Sequence, residues 1–220
     1  MNKEKKMKLQ LLDQVFSIAR KLMPCSICGL DHQQAHSLCH DCWEQLPWFQ
    51  QDNRTQLYRN EMQIHVAFNY QFPIDRIIQK YKYEQQQHFQ TLLTHSLMQL
   101  RLPKVQAIVP MPISTERLAE RGYNQMLIIA NLLSKKLNIP VWQPVIRLAQ
   151  HSQKGLSRVE RMENITEQFQ VIKAERRKYR KVLIIDDVVT TGSSIRALSN
   201  ALEKLGCQQI EIACIAAAQI

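Results

Sequence analysis

The chain predicts an α/β protein, a mostly parallel sheet flanked by helices, with a small cysteine-bearing module in front of it. Three features carry that reading. Apolar runs of strand length alternate with stretches of helical period from residue 62 onward. The β-branched run from Val182 to Ile185 leads into Asp186-Asp187, then a glycine-containing turn, then a helix, the order found at the ligand-binding end of open α/β sheets. Two Cys-x2-Cys pairs stand close together near the N-terminus.

Leu9, Leu12, Val15, Phe16, Ala19 and Leu22 recur at helical spacing, so residues 1–24 predict an amphipathic helix stopped by Pro24. Residues 25–50 hold the cysteines and a short helix over 40–46, and the polar stretch 50–61 reads as a boundary. The larger domain spans 62–220. It opens with Met62, Ile64, Val66, Phe68 and Tyr70 alternating with Gln63, His65, Ala67 and Asn69, the period of a half-buried strand. Helices over 74–87 and 88–101 follow, then a strand over 105–109 and a helix over 125–137. Short strands near Val141 and Val145, a strand over 169–172, the strand at 182–185, a helix over 194–205 and a strand over 210–216 complete the pattern.

A chain of 220 residues, 45% apolar and 22% charged, can bury one sizeable core and carry an appendage. Its most apolar helix, near 126–133, is interrupted by Asn131 and followed by Lys135 and Lys136, so no membrane span is expected. Asp13, Gln14 and Arg20 break any secretory-signal core, and the expected location is the cytoplasm. The balance of 29 Lys and Arg against 19 Asp and Glu gives +10, which favours anionic partners, nucleic acid or a polyphosphate. Basic residues gather at Lys3 to Lys8 and at Arg176 to Lys181. Lys80-Tyr81-Lys82-Tyr83 interleaves cations with rings, a pattern that suits single-stranded DNA or, equally, a helix packing its tyrosines and solvating its lysines.

Cys25, Cys28, Cys39 and Cys42, with ten residues between the pairs, have the spacing of a tetrahedral zinc site. Four thiolates leave no position for a reacting water, which makes such a zinc structural. So short a module has no core of its own, and structural zinc supplies on the order of 10–16 kcal/mol in peptides of this kind.

The run from Val182 to Ser194 divides its chemistry between two halves. Carboxylates repel phosphate but accept hydrogen bonds from vicinal hydroxyls, so Asp186 and Asp187 suit a sugar diol. Thr190, Thr191, Gly192, Ser193 and Ser194 supply hydroxyls and N–H groups at a helix start, which suits a phosphate. A ribose 5-phosphate satisfies both. A second polar string, Arg117 with Arg121-Gly122-Tyr123-Asn124-Gln125, follows Val109-Pro-Met-Pro-Ile-Ser114. Its arginines can clamp a pyrophosphate, or they can belong to a surface helix with Glu116 and Glu120. A third string runs from Gln153 through Ser157, Arg158, Arg161 and Asn164.

The segment 182–194 resembles the signature of type I phosphoribosyltransferases, which bind phosphoribosyl pyrophosphate (PRPP). The four-cysteine module, the Val-Pro-x-Pro segment, the Arg-Gly-Tyr-Asn-Gln string, the third string and this signature stand in the order of the ComF family, which the chain resembles from about residue 25 on. Tyr123 stands where that family is expected to carry phenylalanine. The resemblance implies a phosphoribosyltransferase-type fold with a zinc module, PRPP with Mg2+ as ligand, a role in handling transforming DNA, and a DNA-uptake helicase as partner. A transferase acting on a nucleobase or other small acceptor is the alternative, because the fold serves both enzymes and PRPP sensors.

Overall fold

The computed structural model describes residues 22–49, 56–59, 62–148, 169–172 and 177–218. Residues 1–21 of the expected N-terminal helix and nearly all of the string 153–169 lie outside these residues. In chain order the elements are α1 (His40–Glu44), β1 (Gln56–Arg59), β2 (Met62–Asn69), α2 (Ile74–Tyr83), α3 (Gln90–Met98), β3 (Ala107–Pro110), α4 (Thr115–Arg121), α5 (Gln125–Leu137), β4 (Val145–Arg147), β5 (Phe169–Val171), β6 (Lys181–Val189), α6 (Ser193–Lys204) and β7 (Gln209–Ala217). No described helix is long and apolar enough to cross a membrane.

The main sheet has the order β1-β2-β7-β6-β3. Its β2-β7, β7-β6 and β6-β3 pairs are parallel, and only β1 runs antiparallel, against β2. The mostly parallel α/β architecture read from the sequence is therefore present. Val182 to Ile185 in β6 and Ala213 to Ala216 in β7 are all buried, as expected of central strands covered on both faces. The helices α3 and α5 pack on each other and on the sheet, α3 over β2 and β7 and α5 over β3 and β6.

Four features depart from the sequence expectation. The stretch 50–61, read as a boundary, contains β1, which pairs Gln56 to Arg59 with His65 to Met62; its polar composition suits an edge strand and hid it. In β2 the supposedly solvent-facing His65 and Ala67 are buried, because both faces of the strand are covered. The segments at 145–147 and 169–171 form a separate two-stranded antiparallel ribbon and do not join the parallel sheet. In addition, β6 extends to Val189, so Asp186 and Asp187 lie within the last third of the strand.

The cysteine module is fastened to the sheet by aromatic rings. His36 stacks on Trp43 at 4.0 Å, Trp43 meets Trp48 edge-on at 4.8 Å, and Trp48 meets Phe68 of β2 at 4.5 Å. Backbone bonds reinforce the junction: Phe49 N donates to Ala67 O and Asn69 N to Pro47 O, each at 2.8 Å. The Trp48 indole N–H is satisfied by Trp43 O at 3.1 Å. Because Trp48 is only half-buried, Trp48→Ala is expected to cost about 2 kcal/mol in denaturant unfolding, below the 3–5 kcal/mol of a fully buried aromatic. Destabilisation within a few tenths of zero would show that the rings do not couple module and sheet.

Candidate functional site

The sulfurs of Cys25, Cys28, Cys39 and Cys42 lie within 4.8 Å of one another, and this group can hold a metal ion. Local backbone turns aim N–H groups at them: Ile27 N at Cys25, Leu30 N at Cys28 and Cys42 N at Cys39, each at 3.5 Å. Cys39 also serves as N-cap of α1, which brings the second pair toward the first. Burial opposes ionisation of Cys25, but backbone N–H groups of Cys28, Cys39 and Ile27 outweigh it and lower the thiol to about 6. Burial and then the neighbouring sulfurs push Cys42 up. Four thiolates at this spacing need a cation to be ionised together.

At the carboxyl end of β6 the two acidic residues do different things. Asp187 is buried, and each of its oxygens is engaged. Oδ1 accepts from Lys82 Nζ and from Val188 N, Oδ2 from Gln125 Nε2, all at 2.7 Å. Asp186 is half-buried and accepts from Asp187 N at 2.9 Å. Burial, followed by the charge of Asp187, raises its carboxyl to about 7, with Lys82 and Arg147 acting against the shift.

After β6, Thr190 and Thr191 are exposed and the chain turns at Gly192, whose φ of 80° lies in the left-handed region that a side chain would strain. The N-cap Gly192 offers no side chain to the start of α6, and Ser193 N donates to Thr191 Oγ1 at 3.4 Å. Thr191 Oγ1 and Ser193 Oγ share a hydrogen bond of 2.8 Å, and Ser194 Oγ accepts from Arg147 Nη2 at 3.4 Å. Hydroxyls and helix amides thus surround one turn, the arrangement that favours an anion.

The Arg-Gly-Tyr-Asn-Gln string is the joint between α4 and α5. Gly122 ends α4 at φ 80°, and Asn124 caps α5 through Oδ1, which accepts from Met126 N at 2.9 Å, while its Nδ2 donates to Met111 O at 3.1 Å. The Tyr123 hydroxyl donates to Tyr81 O. Arg121 donates to Gln125 Oε1 and lies 5.1 Å over the Tyr83 ring. Arg117, by contrast, lines a cavity of about 260 Å³ with Ser114, Glu116, Glu120, Arg147 and Leu148. The two arginines do not converge: one faces the cavity and the other props Gln125.

Two residues of this site carry no motif in the sequence. Arg147 arrives from the β4-β5 ribbon, its guanidinium 5.6 Å over Phe169; burial and Arg117 lower its pKa while Asp186 opposes them. Lys82, read only as part of an aromatic-basic cluster, reaches Asp187 from 105 residues away. Helical phase could have revealed it, since Lys82 lies one turn beyond Ile78 and beside the buried stripe Ile74, Ile77, Ile78 and Tyr81.

The raised Asp186 pKa has a definite sign. A carboxyl that ionises later in the folded than in the unfolded chain gives stability that is full below about pH 4 and is lost as pH rises through about 7. The melting temperature of the ligand-free protein should therefore include a decline between those values that Asp186→Asn removes; identical pH profiles would contradict the assigned environment.

The phosphoribosyl transferase domain family matches residues 127–219, from α5 to the last strand. Competence protein F of Haemophilus influenzae is 30% identical over 201 residues, covering 86% of this chain and 82% of the relative. Competence protein ComFC of Bacillus subtilis is 28% identical over 83% of this chain and 72% of the relative, and the DNA utilization protein YhgH of Escherichia coli 26% identical over 87% and 82%. At that identity and coverage, with the cysteine group and the acidic strand-turn-helix unit in place, the chain belongs to the competence protein F (ComF) family.

Proposed function

We propose that this protein handles incoming DNA during natural competence and binds a ribose phosphate, PRPP by preference, at the carboxyl end of β6. The competence and DNA-utilization names of its relatives support the first part. The observation that carries the second is the turn at Gly192, where the Thr191 and Ser193 hydroxyls and the first amides of α6 follow the half-buried Asp186 at the end of β6. In this reading the amides of Ser193 and Ser194 and the Thr191 hydroxyl hold the 5-phosphate. Asp186 takes the ribose diol, and Asp187 fixes the site from behind through Lys82 and Gln125. Arg117 and Arg147 face the more distant phosphates, and Mg2+ neutralises the charge that remains. A DNA-uptake helicase is the partner implied for such a protein.

Thr191→Val is expected to weaken PRPP binding at least tenfold in calorimetric titration with Mg2+ present, while the melting temperature of the ligand-free protein stays unchanged. Equal affinity in the two proteins would remove the phosphate assignment. Release of pyrophosphate on adding a nucleobase during the same titration would favour a transferase over a ligand-sensing role.

The cysteine group is assigned a structural zinc. The Cys28-Cys39 sulfur separation is 3.8 Å. A zinc tetrahedron with bonds of about 2.3 Å has an edge of roughly 3.8 Å, so the donor set fits. Purified protein should carry one zinc per chain by mass spectrometry. Cys39→Ser is expected to lose it together with the signal of ordered Trp43 and Trp48 in near-ultraviolet circular dichroism. Retained order without metal would refute a structural role.

A further inference from the structure

The two ends of the main sheet differ in charge: the carboxyl end mixes the acid pair with Lys82 and Arg147, and the amino end gathers cations. At the carboxyl end lie Asp186, Asp187 and the anion-holding turn. At the amino end, β3 and β6 begin beside each other, with Ala107 level with Val182 and Lys181 level with Gln209 of β7. The approach to β6 is pinned there from both sides. Gln106 Oε1 accepts from Arg180 N at 2.8 Å and Lys181 N at 3.0 Å, and Arg180 O accepts from Gln208 N and Gln209 N at 2.8 and 2.9 Å. Exposed Lys104, Lys178, Arg180 and Lys181 are thereby gathered at one edge.

Helix direction adds to the gathering. In units of this kind each helix returns to the amino end of the sheet, and α5 and α6 both finish there. Val141, just past α5, bridges to Ile108 at the start of β3, and Gln208, just past α6, is bonded to Arg180. Their last turns end in the exposed Lys135, Lys136 and Lys204. Helix C-termini favour cations on their own account, but the four lysines and arginines before the strands have no such reason to be there. Glu203 is the acidic side chain beside Lys204.

We infer that this amino edge is the surface on which the protein holds the sugar-phosphate backbone of DNA. The inference rests on the DNA-handling reading and assigns it a place. Residues 104–106 and 177–181 carry none of the exposed large apolar side chains; Leu137 at the end of α5 is exposed nearby, but a single apolar side chain is ordinary on a surface, whereas phosphates require only cations. The edge is also remote from the acid pair: Asp186 lies five positions along β6 from Lys181, roughly 17 Å, about twice the screening length at physiological salt. DNA on this edge is not repelled by the carboxylates and leaves the ribose-phosphate turn open.

The test is fluorescence anisotropy with a labelled oligo-dT and a duplex of the same length, using the whole chain at several salt concentrations. Arg180→Ala/Lys181→Ala should weaken oligo-dT binding about tenfold at 0.1 M salt and lower the salt slope by about 1.4, two lost phosphate contacts on a single strand. Arg76→Ala/Lys80→Ala, the same charge loss on exposed positions of α2, should change it by less than twofold. Equal unfolding profiles of both variants verify that the fold is kept. Saturating PRPP should leave the affinity for DNA in place. If the wild type binds neither oligonucleotide, the DNA-handling reading itself fails. If it binds and the α2 variant loses affinity while the Arg180/Lys181 variant does not, the edge assignment fails. Stronger binding of the duplex than of oligo-dT would keep the edge and change the form of DNA it holds.

Discussion

The site depends on one buried interaction, the Asp187 carboxylate held by Lys82 at 2.7 Å and Gln125 at 2.7 Å. A buried charge without partners is prohibitively costly, and removing one member of such a pair typically costs about 3–5 kcal/mol. Each partner comes from a different element, Lys82 from α2 and Gln125 from the first turn of α5, so neutralising Asp187 fixes both helices against β6. Arg121 and the tyrosines continue the network outward, from Gln125 to Tyr83 and from Tyr123 to Tyr81. The acid pair that looked equivalent in sequence is thereby divided, one carboxylate spent inward and one left at the rim.

The cysteine module stands in a similar relation to the sheet. It has almost no core of its own; Leu38, Leu46, Cys25 and Cys39 are buried, and beyond them its rings lead to Phe68. A metal ion would hold the first half of the module, and the sheet holds the second. His36, stacked on Trp43, has its pKa lowered to about 4 by burial and then by the charges of His95 and His40. It therefore stays a neutral aromatic partner at ordinary pH.

Where local pattern decides, the sequence was informative. The helix at 125–137 and the strand, turn and helix from 181 to 204 are found within a residue or two at most boundaries, since apolar period and glycine position are written locally. The four cysteines came from spacing alone. What escaped was set by tertiary structure: β1 looks polar because it is an edge, and His65 is buried because of what covers β2. Lys82 and Arg147 join the site across long sequence separations that no short motif records. The Arg-Gly-Tyr-Asn-Gln string has the residue types of a phosphate clamp, yet much of its composition serves to end α4 and begin α5.

At the far side of the sheet, β3 is an outer strand with little left to offer a neighbour. The outward N–H and C=O of Ile108 are taken by Pro140 O and Trp142 N, at 2.9 and 2.8 Å, and the next outward position is Pro110, which has no N–H. A second chain approaching this margin finds no ladder to extend. Chain-to-chain strand addition, the usual route from an exposed sheet border to aggregates, is closed there by two prolines and a short return of backbone.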